Sequence, residues 1–434
     1  AKLKFDYESI CAALLHDVIE DTKATEDDVR KEFGDSITEL VLGLTKLNKL
    51  RFRHDLKDYS VENLRKMFLA MAHDIRVVFV KLSDRLHNLQ TLEGLTDEQQ
   101  KRIAEETLLI YAPIASRLGI GGMKGNLEDL AFRYAQPKDF ATTRETLETA
   151  VPSKEVFLVG IMDDLKKRLS DQDIKFIDIH GRSKRIYSLY KKLLRYDYDT
   201  NRIYDLVAVR IIVPTVHDCY TTLGIIHETH KPLIGRIKDY IATPKANGYQ
   251  SLHTTVITST GEIAEIQIRT PKMHREAELG IAAHWFYKGS MDTHPNDHNQ
   301  DWIQQLAEIQ SEIGNPEEFT ESLKIDFFDD RIFVFTPKGE VLDLPSKATP
   351  IDFAYTIHTD VGHRCKGAHV NARFVPLDYQ LQNGDMVNIM TSKKANPNRD
   401  WLNFVTTNTA RNRIKHWFKQ SHREQNVING SKLL

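Results

Sequence analysis

The chain runs to 434 residues, enough for two to four domains with sizeable cores. A hydrophobic content of 41% beside 28% charged residues belongs to an ordinary globular chain and excludes a disordered or fibrous one. The formal charge of −2 excludes a global basic field, so any contact with nucleotide or nucleic acid must be local. No apolar run reaches the length of a membrane span, and the N-terminus lacks a signal-peptide pattern. Cys11, Cys219 and Cys365 are too widely spaced for a disulfide framework or a zinc ribbon. A cytoplasmic protein is expected. Its start on Ala inside a helical pattern and its polar end read as a fragment of something longer.

Residues 1 to about 140 repeat apolar side chains at helical spacing, through Ile10–Leu15, Ile37–Leu44, Leu64–Met71 and Ile75–Leu82. Few strand signals interrupt them, which predicts an all-helical domain. Within it stands His16-Asp17-Val18-Ile19-Glu20-Asp21. On one helix, His16 and Glu20 would share a face and Asp17 and Asp21 the next. Such a cluster is unfavourable without a cation beside it. Asp84 follows an apolar helical run in Val80-Lys81-Leu82-Ser83-Asp84-Arg85-Leu86-His87-Asn88 and is expected to point into the domain. A His–Asp pair with a distant Asp suits Mn²⁺ or another divalent ion that activates water. On so short a motif, a helix cap or a surface acidic patch stays open as the alternative. His73-Asp74 lacks the following Glu-Asp pair and reads as helix surface.

HDxxED followed by KLxDRxHN resembles the HD-type hydrolase domain of the RelA/SpoT homologues, bacterial enzymes that make and degrade the alarmone (p)ppGpp. Leu64-Arg65-Lys66-Met67 followed by Ala72-His73-Asp74-Ile75-Arg76-Val77 supports the likeness. The resemblance implies that His16, Asp17 and Asp84 are Mn²⁺ ligands, that Glu20 and Asp21 help activate the attacking water, and that Asn88 and Thr91 touch the guanosine. The family draws a further metal-ligand histidine from helices before the HD pair. Only fifteen residues precede it here, none of them His. An N-terminally truncated domain, or one short of a ligand, is expected.

From about 150 to 290 the pattern changes. A helix over Val156–Leu169 leads to an alternating strand over Ile174–Ile179, and a basic helix is predicted to open at a Gly181-Arg182 turn, with Lys184 and Arg185 close by. A helix N-terminus flanked by Arg and Lys is a ready anion site, although a solvated basic face fits that run equally well. Asp205–Val213 fits a buried strand with an acidic residue at its mouth. Between the strands, Gly235–Thr254 holds cations and tyrosines in a stretch that Pro244 and Asn247-Gly248 force into turns. Cations meet phosphates and tyrosine rings stack on bases, so the stretch suits a nucleotide. In Ala264–Arg269, Glu265, Gln267 and Arg269 share one face. If that strand is central its polar face lines a cleft, and if it is an edge strand the face is merely solvated. Two carboxylates on central strands can hold Mg²⁺ between phosphates. No Walker loop is present.

RSKxIYSLYKK, YDLVAVRI, GRIKDYIATPKANGYQSLHTT, EIQIRT and GIAAHWFYK are similar, in this order, to the (p)ppGpp synthetase domain of the same family, whose α/β fold resembles nucleotidyltransferases. The implied chemistry is transfer of pyrophosphate from ATP to the 3′-hydroxyl of GDP or GTP. By that resemblance Asp205 and Glu265 coordinate Mg²⁺, with Glu265 as the alternative base, and Tyr249 stacks on guanine. Arg182 stacks on adenine, Lys184, Lys245 and His253 meet phosphates, and Gln267 belongs to the nucleotide wall. Arg236-Ile237-Lys238-Asp239 is the RxKD form of bifunctional members.

Residues 291–327 read as a linker with His294 and His298, followed by a helix around Trp302. From 328 to 392 a hairpin turning at Pro337–Gly339, a helix over Ala354–His358 and strands between Val370 and Met390 make a small α+β pattern. With Ile357-His358 and His363-Arg364-Cys365 it resembles a TGS β-grasp domain, which in the family senses uncharged tRNA on the ribosome through a histidine such as His358 or His363. From 393 to 434 a basic helical region begins, with Arg411, Arg413, Lys415 and Lys419.

The expected protein is a bifunctional alarmone synthetase and hydrolase whose two opposed activities alternate. The alternatives are a synthetase with a degenerate, regulatory HD domain, and a non-catalytic tRNA- or ribosome-binding protein. Carboxylates at positions 205 and 265 argue against the last, since a phosphate-binding surface gains nothing from them without a metal.

Overall fold

The computed structural model describes residues 5–48, 74–199, 203, 207–245, 247–280 and 331–433. These fall in two compact units, Ala1–Ile309 and Gln310–Leu434. Asp205, the helix expected at Leu64–Met71, His294, His298 and the 291–327 linker lie outside the described residues.

The first unit begins with helices, as the periodicity predicts. Helix α1 (Tyr7–Leu14) is capped by Asp6, whose carboxylate accepts the Ser9 N–H at 2.7 Å. After it come α2 (Val18–Asp21), α3 (Glu26–Asn48), α4 (Ile75–Gln90), α5 (Asp97–Glu106), α6 (Ala112–Arg117) and α7 (Gly121–Ala135). Thr107–Tyr111 forms a π-helical turn between α5 and α6. Pro113 has no N–H to return to that turn, so the helix opens there. Arg85 packs against this turn, 3.1 Å from Glu106 and 4.1 Å from the centre of the Tyr111 ring. Helix α8 (Pro137–Asp171) then runs unbroken across the region where the domain boundary is expected.

Two expectations about this region are corrected. His16 and Asp17 do not lie on one helix with Glu20 and Asp21, because α1 ends at Leu14 and the HD pair forms the turn into α2. Asp74 is a cap rather than helix surface, and its carboxylate accepts the Arg76 N–H at the start of α4.

A mixed sheet follows, built from β1 (Asp178–Ser183), β2 (Val207–Ile212), β3 (Lys231–Pro232), β4 (Lys238–Asp239), β5 (Leu252–Ile257) and β6 (Ile263–Arg269). Its order is β1-β2-β6-β5-β3, with β4 also on β5. Among its described strands only β2 and β6 run parallel. Helices α9 (Ile186–Arg195), α10 (Val216–Thr229) and α11 (Pro271–Leu279) interleave with the strands. The strand expected at Ile174–Ile179 starts only at Asp178 and continues through Gly181-Arg182-Ser183, so Arg182 stands on a strand and not at a helix start. The β-ladder with β2 captures these residues, pairing Arg182 with Ala208.

Alternation sorts the two faces of the sheet. Val209, Ile211, Val256, Ala264, Ile266 and Ile268 turn to a core closed by Leu165 and Leu169 of α8 and Ile225 and Ile226 of α10. Each fully buried Ile contributes about 2 kcal/mol. That anchoring fixes the register, which in turn puts Arg210, His253, Thr255, Glu265, Gln267 and Arg269 on the opposite face.

In the second unit β7 (Arg331–Phe335) and β8 (Val341–Pro345) make the expected hairpin. Strand β9 (Cys365–Val370) lies between β10 (Arg373–Val375) and β11 (Val387–Thr391). A parallel bridge from Phe335 to Met386 links hairpin and sheet. Helix α12 (Pro350–Ile357) packs between two cores, and α13 (Thr359–His363) and α14 (Asn408–Leu433) complete the unit.

Candidate functional sites

The HD pair and Asp84 meet although 66 residues or more separate them in the chain. His16 Nε2 lies 2.8 Å from Asp17 Oδ2 and 3.5 Å from Asp84 Oδ1, and the last turn of α1 holds the ring through Nδ1, 3.0 Å from the Ala13 carbonyl. The hydrogen bond to Asp84 raises the His16 pKa, against the pull of burial. Burial pushes the Asp84 carboxyl up, but His16 and Lys81 outweigh it and hold the group well below the usual carboxylate range. Lys81 Nζ is 2.7 Å from Asp84 Oδ2. Asn88 donates to Asp84 Oδ1 at 3.0 Å, and Thr91 ends α4 one turn further on; both are exposed. Glu20 and Asp21 stand exposed on α2 beside the cluster.

One imidazole and two carboxylates have the donor chemistry of a divalent-cation site, and the excess of negative charge that raises His16 is what such an ion would neutralise. The side chains are turned on one another, however. Among the described residues no group of three or more His, Cys, Asp or Glu is spaced to hold an ion as it stands.

The second site lies on the polar face of the sheet. Strand β6 is central, so the solvated-edge alternative falls and Glu265, Gln267 and Arg269 line a wall. Register sets Glu265 beside Ala208 and Thr255, and Gln267 between Arg210 and His253. Glu265 Oε1 accepts from Gln267 Nε2 at 2.9 Å and lies 3.0 Å from His253 Nδ1. Burial pushes the Glu265 carboxyl up, but the bonds from His253 and Gln267 and the nearby Lys192 charge bring it down to about 2. It is therefore ionised at neutral pH. Tyr249 Oη is 2.8 Å from His253 Nε2. Both ring nitrogens of His253 are thus engaged within the protein. Gln267 is likewise occupied, its Oε1 accepting from Arg210 at 3.4 Å.

Lys245 reaches over two rings, 4.6 Å from the centre of Tyr240 and 5.1 Å from that of Tyr249. Burial, with Lys238 and Lys124 nearby, brings its ammonium down to about 8. Gly248, at φ +75°, closes the turn that aims Tyr249 back at the sheet. Lys184 Nζ is buried and Arg182 is exposed at the rim, close enough to Arg210 to disfavour its charge. Of the RxKD stretch, Lys238 pairs across from His253 while Arg236 is exposed. Asp239 is spent locally, accepting from the Ile241 and Ala242 N–H groups and from the Tyr220 hydroxyl.

Sequence reasoning passed over Arg210 and Glu278 in this wall. Arg210 and Arg269 are buried, and both reach Glu278 Oε1 of α11, at 3.5 and 3.6 Å. Arg269 also bonds His274 Nδ1 at 2.7 Å, and burial with that guanidinium holds the imidazole at about 4. The signal was a lone Arg inside the apolar run Val207-Ala208-Val209-Arg210-Ile211-Ile212. Also missed was the glycine run Gly119-Ile120-Gly121-Gly122-Met123-Lys124-Gly125, where the helical region meets the sheet region. Asn247 donates to the Ser116 carbonyl at 3.0 Å, Arg185 bonds Asn126, Asp129 and the Gly122 carbonyl, and Lys191 pairs with Glu128 at 2.8 Å. A Cβ on Gly121 would come 2.7 Å from the Ala277 carbonyl oxygen, so glycine permits the close approach of α7 to α11.

In the second unit His358 is exposed and caps α13, its Nδ1 accepting the Asp360 N–H. His363 packs on Tyr355, with ring centres 5.6 Å apart, and burial lowers its pKa. Of the two histidines, His358 is the exposed one. Arg411 and Arg413 of α14 donate to the Val405 and Tyr355 carbonyls.

Comparison with known proteins agrees with this layout. An HD domain model matches residues 1–121, the model of a region found in RelA / SpoT proteins matches 181–292, and a TGS domain model matches 332–391. The chain is 48% identical over 435 residues to a Myxococcus xanthus protein named GTP pyrophosphokinase, covering 100% of this chain and 57% of that one. It is 47% identical over 434 residues to a Synechocystis protein named probable guanosine-3′,5′-bis(diphosphate) 3′-pyrophosphohydrolase, covering 99% and 57%. It is 46% identical over 436 residues to the Escherichia coli bifunctional (p)ppGpp synthase/hydrolase SpoT, covering 100% and 62%. The chain thus spans about three fifths of the length of these relatives. No helix among the described residues is long and apolar enough to cross a membrane.

Proposed function

On the premise that this chain belongs to the RelA/SpoT homologues, with HD, RelA/SpoT and TGS domains in that order, we propose that it is a cytoplasmic enzyme that makes and degrades (p)ppGpp. The observation that carries the synthetic reading is an ionised, largely buried Glu265 on a central strand, facing the same space as Tyr249 and Lys245. In synthesis the 3′-oxygen of GDP or GTP attacks the β-phosphorus of ATP. The bond from the β-phosphorus to the oxygen bridging it to the α-phosphorus breaks, and AMP leaves with that oxygen. Glu265, whose Oε1 already accepts two hydrogen bonds, has Oε2 left either to receive the hydroxyl proton or to hold the metal. Tyr249 supplies a stacking face for guanine, Arg182 one for adenine, and Lys184, Lys238 and Lys245 offset phosphate charge. Asp205 and Glu265 are the residues that would hold Mg²⁺, which would supply further charge neutralisation.

A second activity is favoured by the meeting of His16, Asp17 and Asp84 in one cluster. These residues would hold Mn²⁺, which lowers the pKa of a bound water. Glu20 and Asp21 would take the proton from that water, and Asn88 and Thr91 would contact guanosine, so that (p)ppGpp returns to GDP or GTP and pyrophosphate. The TGS unit offers His358 to uncharged tRNA on the ribosome. Incubation with labelled ATP, GDP and Mg²⁺ tests the synthetase: ppGpp is expected from the wild type and not from Glu265→Gln. Synthesis that survives this substitution refutes the assignment. For the hydrolase, pyrophosphate release from ppGpp with Mn²⁺ must disappear in Asp84→Ala.

A further inference from the structure

The residues of β5 and β6 join the guanine side of the site to its carboxylate through a single imidazole. We propose that His253 is a positioning residue that ties the Tyr249 ring to Glu265, so that the Tyr249 hydroxyl contributes to the chemical step rather than to nucleotide affinity. This rests on the synthetase reading above.

The geometry is a continuous chain. Tyr249 Oη is 2.8 Å from His253 Nε2, His253 Nδ1 is 3.0 Å from Glu265 Oε1, and Gln267 Nε2 donates to the same oxygen at 2.9 Å. A carboxylate only accepts, so the proton of the imidazole sits on Nδ1 and Nε2 is left to accept from the tyrosine. Direction is thereby fixed along the chain, from hydroxyl to ring to carboxylate. The scaffold leaves the ring little room. His253 lies in the middle of a ladder, opposite Lys238 on one side and Gln267 on the other. Its ring meets Tyr240 and Tyr249 edge to face, with centres 5.3 and 5.8 Å apart.

Two consequences follow for Glu265. Both hydrogen bonds fall on Oε1, which restrains the rotamer and leaves Oε2 as the oxygen for the reacting groups. The phenol that stacks on guanine is pinned at its far end to the same imidazole, so nucleotide and carboxylate are held in one frame. A tyrosine present only for stacking would do its work equally well without a hydroxyl.

The test is steady-state synthesis of ppGpp by the full chain. For Tyr249→Phe, which keeps the ring, kcat is expected to fall about tenfold, the effect of about one lost hydrogen bond to a charged relay, with KM for GDP within about twofold of wild type. His253→Ala is expected to fall at least as far. His253→Gln, which offers one donor and one acceptor, should recover part of the loss. Adding Tyr249→Phe to His253→Ala should change kcat by less than about twofold, since the link is already cut. An unaltered kcat in Tyr249→Phe, or effects that multiply in the double variant, overturns the proposal. A wild-type chain that makes no ppGpp defeats the synthetase reading instead. The relay is then read directly from the ¹⁵N shifts of His253, where a proton on Nδ1 upholds it and one on Nε2 overturns it.

Discussion

Lys245 offers the most quantitative test of the nucleotide site. Its ammonium sits among Tyr240, Tyr249, Lys238 and Lys124, and burial with the two lysine charges lowers its pKa from 10.5 to about 8. That gap corresponds to about 3 kcal/mol against the charged form in the free protein. The sign for stability follows. Below about pH 8 both folded and unfolded states carry the proton and the folded state bears the whole penalty. Between about 8 and 10.5 the unfolded state binds more protons, so stability rises with pH. An arriving diphosphate reverses the balance, because its charge favours the ammonium. GDP binding should therefore take up about 0.1 proton at pH 7 and about 0.9 at pH 9, with about tenfold weaker affinity at the higher pH. Calorimetry in buffers of different ionisation enthalpy reads both quantities. Lys245→Arg, charged throughout, should abolish the proton uptake and flatten the affinity. Lys245→Met should bind weakly at every pH, yet unfold at higher denaturant than wild type at pH 7, by up to about 3 kcal/mol. Equal proton uptake in wild type and Lys245→Arg would refute the placement of this lysine against the phosphates.

Two further predictions concern what holds the sites in place. Gly280, at φ +58°, ends α11 where an added Cβ would overlap the Leu118 carbonyl oxygen. Gly280→Ala should cost about 3 kcal/mol and, by shifting Glu278 away from Arg210 and Arg269, reduce synthesis as well. Wild-type stability in thermal unfolding would contradict the close contact. In the second unit the buried Asp352 carboxylate accepts from Thr349, Thr406 and Thr407, five donor groups in all, and so ties α12 to the start of α14. Asp352→Ala should destabilise this unit by about 4 kcal/mol, seen as faster amide exchange in β9 and α12. Unchanged protection there would show that the donors find other partners.

The order of domains and the residue types at each site were legible in the sequence. Periodicity separates the helical region from the strands, and HDxxED, ATPKANGYQSLHTT and EIQIRT are local enough to survive without a structure. Even the shared face of Glu265, Gln267 and Arg269 follows from alternation alone. Some local expectations failed because a long-range partner won. Arg182 was expected at a helix start, but pairing with β2 holds it in a strand. His16 and Asp17 fit a helix by spacing, yet α1 ends before them and their ring and carboxylate turn toward Asp84 instead.

What only tertiary structure decided was the pairing of groups far apart in the chain. Periodicity says which face a side chain takes but not which strand lies next to it. The neighbourhood of Glu265 therefore depended on β6 lying between β2 and β5. That arrangement sets His253 between Tyr249 and Glu265 and Gln267 between Arg210 and Glu265. The same holds for Asn247, a turn residue by sequence, whose amide reaches a carbonyl 131 positions earlier. Hydrogen-bond partners across such distances are chosen by the packing of whole elements, and no local pattern encodes that choice.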